Sequence, residues 1–454
     1  MTKNNPALEE LAGRKILFAS FPADGHVNPL TGLAVYLKNL GCDVRWYTGS
    51  VYAGKIGRLG IPFYPFTKAL DISADNADQL FPERAKINSK IKKLNFDLVN
   101  GFIMRAPENL EDIKDIHREF PFEIIIADVM FMAAPLVRAH FKVPFLSIGV
   151  MPNMENSCDL PPQGLGMEPS YTWAGKLKQR ILRFMTTQVL FRPSDRLLNK
   201  VYKEHGIDSS DRFLFGRIMG EADIHLQIGA PGFEYYRTDL SSNIRYVGAM
   251  LPHSSGERKS PWFDVRLNQF DKIVVVTQGT VERDVEKIIV PTLEAMKDSD
   301  VLVIATTGGA ATEELRRRFP HDNIIIEDFI PFDDIMPYAD AYITNGGYGG
   351  VLLGISHQLP MVVAGIHEGK SEINARIGYF GYGINLKTER PDAKKLRHAI
   401  EEILLDKTYK ANVIKLSEEL ARYQPYQLGA AYVKELLKGH TLLYHKKQPL
   451  AARA

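Results

Sequence analysis

The chain alternates short apolar runs, rich in β-branched residues, with longer amphipathic stretches, and this alternation constrains its fold more than any other feature. In the first instance, residues 15–20 and 43–47 predict buried strands, and the apolar spacing of residues 30–40 predicts a helix between them. A strand, a helix and a strand in this order form a βαβ unit, which requires parallel strands joined by a right-handed crossover. We therefore expect an α/β fold built on parallel sheets.

The alternation begins again in the second half of the chain. Further strands are predicted in both halves, at residues 123–127, 144–148, 224–228, 244–247, 272–277, 301–306, 324–327, 341–344 and 361–364. Between the two series, residues 251–262 are polar and contain Gly and Pro, as linkers do. We expect two doubly wound, Rossmann-like domains, residues 1–250 and 263–425, with residues 426–454 forming a helix and tail that pack back on the first domain.

Charge balance and cysteine content argue against several classes of protein. The 454 residues carry a formal net charge of +2 spread along the chain, which gives no reason to expect a nucleic-acid partner. Cys42 and Cys158 are too few for a disulfide framework, so two reduced thiols are expected. The chain starts without a signal-peptide pattern and contains no apolar run near the roughly 20 residues of a membrane span. We expect a cytoplasmic monomer or weak dimer without integral membrane association, although sequence does not reveal apolar patches that bind a membrane surface weakly.

A histidine follows the first predicted strand, at the edge of the sheet where ligands gather in open α/β folds. In residues 24–29 (Asp-Gly-His-Val-Asn-Pro), Pro29 suits the first position of a helix, which leaves His26 in the preceding turn. A neutral imidazole there can accept a proton near neutral pH. A solvent-exposed turn histidine is the simpler alternative.

Asp128 ends a second apolar run, residues 123–127, and is therefore expected at the same edge of the sheet. Its carboxylate can bond one ring nitrogen of His26 and leave the other free as a base. Asp128 also suits the N-cap of a helix predicted over residues 129–141, and the two roles are equally compatible with its position. The chain has no Gly-x-Ser-x-Gly element, so any hydroxyl that His26 activates is expected to belong to a substrate.

The second half contains Gly-rich turns after its predicted strands. Residues 345–350 read Asn-Gly-Gly-Tyr-Gly-Gly and precede a helical stretch, so close backbone approach and free N–H groups make a phosphate site. Residues 278–280 and 306–309 form two more such turns. None matches a P-loop or a first-strand dinucleotide fingerprint, and a purely structural turn is the alternative. Residues 298–300 (Asp-Ser-Asp) resemble a metal motif but sit before a strand, where surface charge explains them better, so no metal is expected.

These residues resemble the family 1 nucleotide-diphosphosugar glycosyltransferases of GT-B fold, in particular the bacterial macrolide and flavonoid branch. The similarity covers about residues 15–425, and its most specific parts are residues 25–29, 277–280 and 329–374. The resemblance implies an inverting, metal-independent enzyme in which two Rossmann-like domains face a cleft. It implies that His26 deprotonates an acceptor hydroxyl, with Asp128 as its partner, and that Thr280 and the 345–350 loop hold the diphosphate.

The resemblance also assigns the remaining donor candidates, and some of them depart from the family's usual residues. Asn345 stands where the family usually has a phosphate-binding His, Leu353 where it has a ribose-binding Glu, and Phe329 where an aromatic covers the uracil. Lys370 is expected to supply the missing charge or to meet the sugar, with a solvated loop as its alternative. The donor candidates are Gly25, Gly279, Thr280, Thr307, Phe329, Ile330, Asn345, Gly346, Gly347, Tyr348, Gly349, Gly350, Glu368, Gly369 and Lys370.

The acceptor is expected in the first half, where residues 65–93 and 160–166 are predicted as loops that shape an apolar pocket. Candidate lining residues, each equally compatible with the core, are Phe81, Met104, Met130, Phe131, Met151 and Met154. We expect transfer of a hexose from a UDP-sugar, with UDP-glucose preferred, to a hydroxyl of a hydrophobic small molecule such as a flavonoid, another phenolic or a macrolide. A TDP-sugar-dependent transferase, a nucleotide-sugar epimerase or hydrolase, and a non-catalytic helper that binds a nucleotide sugar are the alternatives.

Overall fold

A computed structural model of the chain describes residues 10–73, 76–208, 210, 212–253, 261–279, 282–367 and 369–447. Within these residues the strands form two sheets, and every pairing between neighbouring strands is parallel. The strands are β1 Lys15–Ala19, β2 Asp43–Thr48, β3 Phe63–Pro65, β4 Ile124–Asp128, β5 Phe145–Gly149, β6 Ile224–Gln227, β7 Ile244–Tyr246, β8 Lys272–Thr277, β9 Val301–Thr306, β10 Ile324–Glu327, β11 Ala341–Thr344, β12 Met361–Val363 and β13 Gly383–Asn385.

Helices cover both faces of each sheet, which explains why the strands are apolar along their whole length. The α-helices are α1 Asp24–Asn39, α2 Ala53–Arg58, α3 Ala77–Leu80, α4 Pro82–Ala85, α5 Lys90–Asp97, α6 Arg105–Glu119, α7 Ala134–Phe141, α8 Trp173–Met185, α9 Arg192–Glu204, α10 Leu214–Glu221, α11 Ile289–Met296, α12 Thr312–Arg318, α13 Phe332–Ile335, α14 Tyr348–Ser356, α15 Lys370–Tyr379, α16 Ala393–Leu405, α17 Lys407–Ala421 and α18 Pro425–Lys447. Shorter 3₁₀ or π turns occupy Ser50–Tyr52, Leu98–Ile103, Thr186–Leu190, Pro231–Phe233, Val265–Asn268 and Met336–Tyr338.

Strand order places a switch point in each sheet. The first sheet runs β3-β2-β1-β4-β5-β6-β7, so the chain reverses direction across the sheet between β1 and β4. The second runs β10-β9-β8-β11-β12-β13 and reverses between β8 and β11. Crevices form at the carboxyl ends of the strands on either side of such a reversal. The α/β class and the parallel sheets expected from the sequence are confirmed.

The C-terminal helix α18 crosses back onto the first half, as predicted. Its Tyr426 hydroxyl donates to the Leu251 carbonyl at 2.7 Å, and its ring packs where α1 has Gly32. A Cβ on Gly32 would lie 2.4 Å from that ring, so the close helix contact requires glycine. One continuous apolar cluster includes Leu33 of α1, Val351 of α14 and Val433 of α18, so core packing joins the two halves. Among the described helices, none combines the length and apolar character of a membrane span.

Several boundaries differ from the sequence predictions. Helix α1 begins at Asp24, and Pro29 lies inside it instead of starting it. The N–H groups of His26 and Val27 both donate to the Ala23 carbonyl at 2.9 Å, so the first turn forms before the proline is reached. The carboxylate of Asp24 in that turn interacts favourably with the positive N-terminal end of the helix dipole. His26 is therefore a residue of the first helical turn and not of a loop.

Other differences involve short elements. The helix expected over residues 129–141 begins only at Ala134, and the edge strands β3 and β13 were not predicted. Residues 65–93 contain the short helices α3 and α4 and the start of α5, whereas residues 160–166 have no regular structure, as expected. Of the predicted linker 251–262, residues 254–260 lie outside the described residues, so the domain boundaries stay a prediction.

Candidate active site

His26 and Asp128 meet at the switch point of the first sheet. His26 lies in the first turn of α1 after β1, and Asp128 is the last residue of the neighbouring strand β4. The His26 Nδ1 atom is 2.7 Å from Asp128 Oδ1. The His26 side chain is 17% exposed and that of Asp128 is fully buried. A carboxylate at this distance favours the tautomer with hydrogen on Nδ1, which leaves Nε2 as the proton-accepting nitrogen.

Backbone groups hold the Asp128 carboxylate in place. Its Oδ2 atom accepts from the Phe21 N–H at 2.7 Å, and Oδ1 also accepts from the Met130 N–H at 2.8 Å. The second bond closes a local turn directly after β4. The N-cap of α7 is Ala133, without a side-chain cap, so the helix-capping alternative for Asp128 is wrong and its contact with His26 is the role that the structure shows. With these bonds formed, Asp128 has little freedom to leave His26.

An apolar cavity opens beside the histidine. Phe21 contacts the His26 ring edge-on, with 5.6 Å between ring centroids, and stacks on Phe102 at 4.4 Å. The cavity is lined by Phe21, Pro22, Phe66, Leu70, Ile72, Gly101, Phe102, Arg105, Asn109, Met130, Phe131 and Met132. Most of its wall residues are apolar, and Phe21 connects it to the His26 ring, so it marks the side of the site on which an apolar acceptor is expected.

The cavity includes two of the six predicted acceptor residues, Met130 and Phe131. The others lie elsewhere: Phe81 packs edge-on against Phe96, Met104 is exposed and Met154 is in the core. Met151 lies against the second half, because its Cε is 3.4 Å from where a Cβ on Gly369 would stand. Sequence reasoning missed the ring pair Phe21 and Phe102, since their contact joins residues far apart in the chain.

The Gly-rich turns of the second half converge at the carboxyl ends of β8, β9 and β11. The 345–350 loop follows β11, and Asn345 donates from Nδ2 to the Gln278 carbonyl after β8. A Cβ on Gly279 would lie 3.6 Å from Asn345 Nδ2, and one on Gly308 would lie 3.9 Å from the Gly279 carbonyl oxygen. The three turns are therefore neighbours around the second switch point.

Gly346 is fixed by a close approach that no other residue tolerates. Its φ is +85°, and an added Cβ would stand 1.8 Å from Asn374 Oδ1. Asn374 is buried on α15 and donates from Nδ2 to the Gly365 carbonyl at 2.9 Å, so it cannot easily move away. This Asn374 contact was not predicted, although the residue ends the most specific stretch of the family resemblance.

The start of α14 presents backbone donors. The first bond inside this helix runs from the Val351 N–H to the Gly347 carbonyl, so the N–H groups of Tyr348, Gly349 and Gly350 precede it. Helix α14 has no side-chain cap. These N–H groups and the helix dipole suit an anionic group. The Tyr348 side chain faces the other half, where its hydroxyl donates to the Ile228 carbonyl at 2.7 Å, so only its backbone suits the donor.

Other donor candidates divide into exposed and buried side chains. Phe329 is 72% exposed and its ring approaches Gly309, so it is available to stack on a base. Ile330 is buried in the core, and the Thr307 hydroxyl is 2.5 Å from that of Thr312. Gly25 lies in the open first turn beside His26. Thr280 and Glu368 lie outside the described residues.

Lys370 stands next to the glycine loop. It is the first residue of α15, is half-buried, and its Cδ is 3.1 Å from where a Cβ on Gly365 would stand. Gly365 also lies against the 345–350 loop, because a Cβ on Gly365 would stand only 2.2 Å from the Asn345 carbonyl oxygen. Gly369, with φ +79°, is the N-cap of the helix. Lys370 is therefore placed where its charge can act on an anion in the 345–350 loop.

A buried ion network ties α15 to the first half. Arg376 donates to Glu234 Oε2 from Nη2 at 2.9 Å and to Glu372 Oε2 from Nη1 at 3.0 Å. Glu372 Oε1 accepts from the N–H groups of Gly164 and Gly166, both at 2.8 Å. Burial acts to lower the pKa of Arg376, but Glu234 and Glu372 outweigh it and hold that pKa above its ordinary value. The helix that carries Lys370 is thus fixed to the 160–166 loop of the acceptor half.

Two acidic clusters are poor metal sites. Cys158, Asp159 and Asp239 bring ligand atoms together on the surface, but Asp239 already accepts from Ser157, and Asp159 accepts from Thr238. Residues 298–300 directly precede β9, at the amino edge of the second sheet and away from the glycine turns.

Comparison with known proteins places this crevice in context. Residues 291–433 match the Erythromycin biosynthesis protein CIII-like, C-terminal domain family. The chain is 32% identical to the 4'-demethylrebeccamycin synthase of Lentzea aerocolonigenes, over 90% of this chain and 96% of that protein. It is 28% identical to UDP-glucosyltransferase 1 of Beauveria bassiana, over 96% of this chain and 98% of that protein.

Solved structures share the fold at lower sequence identity. The calicheamicin glycosyltransferase CalG4 superposes with a TM-score of 0.72 at 18% identity, covering 94% of this chain and 98% of that one. The spinosyn rhamnosyltransferase SpnG, solved with thymidine diphosphate, gives 0.64 at 14% identity, covering 93% and 99%. These likenesses show the arrangement of two Rossmann-like domains.

Proposed function

The chain belongs to the family 1 glycosyltransferases of GT-B fold and is a hexosyltransferase. From this we propose that it transfers a hexose from a UDP-sugar to a hydroxyl of a hydrophobic small molecule. The proposed reaction inverts the anomeric configuration and needs no metal. The observation that carries the proposal is the His26 and Asp128 pair, 2.7 Å apart, beside an apolar cavity. A binding protein has no need of an oriented base. UDP-glucose is the preferred donor of the proposal, because a relative over 96% of the chain is named a UDP-glucosyltransferase.

In the proposed reaction, the acceptor lies in the apolar cavity with its hydroxyl at Nε2 of His26. The hydroxyl proton passes to Nε2 while the acceptor oxygen attacks the anomeric carbon of the sugar. The bond from that carbon to the diphosphate oxygen breaks, and its electron pair leaves with the diphosphate. Asp128 stabilises the imidazolium that forms, as the carboxylate of a His and Asp pair does.

The leaving diphosphate gains negative charge in the proposed reaction. The N–H groups of Tyr348, Gly349 and Gly350 and the positive end of α14 stabilise this charge without reorganising. Phe329 is proposed to cover the base, since stacking needs only an exposed ring face. In the proposal, the Thr280 hydroxyl forms a hydrogen bond to the diphosphate, and the Glu368 carboxylate accepts hydrogen bonds from the sugar hydroxyls.

The test is a competition of UDP- and TDP-sugars over a mixed pool of phenolic and macrolide acceptors, read by product mass. The expected result is the hexosylated form of one acceptor class, formed from the UDP-sugar with release of UDP. Transfer only from TDP-sugars contradicts the donor assignment. Release of nucleoside diphosphate at the same rate without acceptor indicates a hydrolase, and a stable UDP-sugar complex with no transfer to any acceptor indicates a helper protein.

A further inference from the structure

Helix α8 and the turn Thr186–Leu190 that continues it carry their large apolar side chains on the outside of the protein. Trp173 is 80% exposed, Phe184 61% and Ile181 55%. Leu177 and Val189 are also exposed. At 100° per residue, Trp173, Leu177, Ile181 and Phe184 lie within a narrow arc of α8, so they form one continuous stripe.

The buried side of the same helix is polar. Gln179 is 2% exposed, accepts from the Ser170 N–H at 2.5 Å and donates to the Asp159 carbonyl at 3.1 Å. Thr186 is also buried. A helix that serves only the core places its apolar stripe inwards, whereas α8 does the reverse. The fold therefore does not use the stripe, and a contiguous exposed apolar surface of this kind marks an interaction site.

Positive charge flanks the stripe. Lys178 falls on one side of it, and Lys176 and Arg180 fall on the other. Residues 173–192 contain two Lys and three Arg and no Asp or Glu, in a chain whose net charge is only +2. Within the described part of the chain, the exposed side chains of Lys176, Lys178 and Arg180 form no ion pair. The charge is therefore available to a partner.

A second segment of the same composition adjoins the first. Residues 86–94 contain four Lys and no Asp or Glu, and Ile91 and Leu94 are exposed there. Asn95 of α5 donates from Nδ2 to the Leu190 carbonyl at 3.0 Å and accepts from the Ser194 hydroxyl at 2.6 Å. These bonds hold α5 against the end of Thr186–Leu190. We call the exposed residues of 86–94 and 173–192 the α5–α8 face.

We propose that the α5–α8 face docks on an anionic lipid surface. A Trp- and Phe-bearing stripe flanked by Lys and Arg has the chemistry of a helix that lies in the headgroup region, with its apolar side chains inserted and its cations on lipid phosphates. A second copy of the chain is a poor occupant, because a symmetric contact would place the six exposed cations described on this face against the same six of the other copy. An anionic bilayer complements both the charge and the apolar stripe.

The proposed docking surface leads to the acceptor cavity. Helix α5 continues into Leu98–Ile103, whose Gly101 and Phe102 line the cavity beside His26. Docking on this face brings the cavity near the bilayer, where hydrophobic acceptors dissolve. This last step rests on the proposed function, whereas lipid binding itself does not.

The test measures binding of the full chain to vesicles by flotation. One vesicle type is pure phosphatidylcholine, and the other contains equal parts phosphatidylcholine and phosphatidylglycerol. We expect binding to the anionic vesicles only, weakening as salt is raised. The triple variant K176E/K178E/R180E should lower the partition coefficient at least about tenfold. The matched control K394E/K395E/R397E reverses three exposed cations on α16 and should bind as the original chain does.

The apolar stripe is tested separately with Trp173→Ser plus Phe184→Ser, against Leu405→Ser, which removes another side chain that is 80% exposed. Only the double variant should bind anionic vesicles more weakly. Brominated lipid should also quench the tryptophan emission of the original chain. Trp46 is buried and Trp262 half-buried, so Trp173→Ser should remove most of this quenching. Equal binding to both vesicle types, no binding, or unchanged binding of the charge-reversed variant overturns the proposal. A dimer in sedimentation that the double variant dissociates assigns the face to a second copy instead.

Discussion

The two halves of the crevice manage charge in different ways. In the first half, the proposed base is an ionisable side chain, His26, bonded to the buried carboxylate of Asp128. In the second half, the described glycine turns offer mainly backbone N–H groups and a helix end to an anion. A side-chain base has to change its protonation state during each turnover, whereas a diphosphate cradle has only to remain in place.

This difference follows from how each part is held. Asp128 is fixed by two backbone N–H groups, so the His26 ring bonded to it through Nδ1 keeps its orientation. The 345–350 loop is fixed by Asn345 and Asn374, whose amides bond to neighbouring carbonyl groups. Neutral amides keep the loop rigid at every pH near neutral. The halves therefore predict different failures on mutation: loss of rate in the first and loss of affinity in the second.

The largest expected effect is that of His26→Ala, which should lower the transfer rate by about two orders of magnitude or more while UDP binding stays unchanged. The reason is that the proton acceptor is removed and the glycine turns are untouched. Initial rates with saturating donor and calorimetric titration of UDP measure the two quantities.

Asp128→Asn is a useful companion to His26→Ala, because it keeps the size of the side chain and removes its charge. The rate should fall and the donor affinity should again be unchanged. Near-normal turnover of His26→Ala would contradict the assigned base. A parallel loss of UDP affinity would break the division of labour between the halves.

Sequence periodicity was sufficient for the fold, because buried parallel strands have a strong local signal. Strands β8, β9, β10 and β11 have the predicted bounds. The edge strands β3 and β13 were missed because both have only three residues, and neither is buried along its whole length, which leaves little apolar pattern to read. The start of α1 was placed too late because Pro29 was given more weight than the acidic first turn that precedes it.

Sequence reasoning placed His26 and Asp128 at one sheet edge, but not the contacts between distant segments. The Asn374 contact with Gly346 and the Glu372 bonds to Gly164 and Gly166 join residues whose separation leaves no local pattern. The outward stripe on α8 was missed for another reason. Its periodicity is that of any amphipathic helix, and only the solvent exposure of Trp173 reveals that the apolar side faces outwards.

The next prediction tests the rigid cradle through Gly346→Ala, which should weaken UDP binding about ten- to a hundredfold. Its φ of +85° disfavours alanine, and the new Cβ would overlap Asn374 Oδ1, so the loop has to move. Gly57→Ala is the control, because this glycine lies in α2 with nothing within 4 Å of an added Cβ. Calorimetry with UDP measures the affinity, and thermal unfolding shows how much of each variant is folded. Original affinity in a folded Gly346→Ala protein would remove the loop from the diphosphate site.

The variant with the smallest expected effect, Lys370→Met, tests whether the 345–350 loop and the start of α14 bind the diphosphate with backbone groups alone. Lys370→Met keeps most of the apolar side chain that packs near Gly365 and removes only the charge. If the charge acts on the diphosphate, UDP affinity should fall about three- to tenfold, and the difference between the two proteins should shrink as salt screens the interaction. The rate at saturating UDP-sugar should change little, because His26 lies in the other half.

Calorimetric titrations of UDP at low and high salt measure the difference in affinity between Lys370→Met and the original chain. Equal affinity at low salt would show that Lys370 contributes nothing, and the contrast between an ionisable base and a cradle of neutral groups would then be sharper.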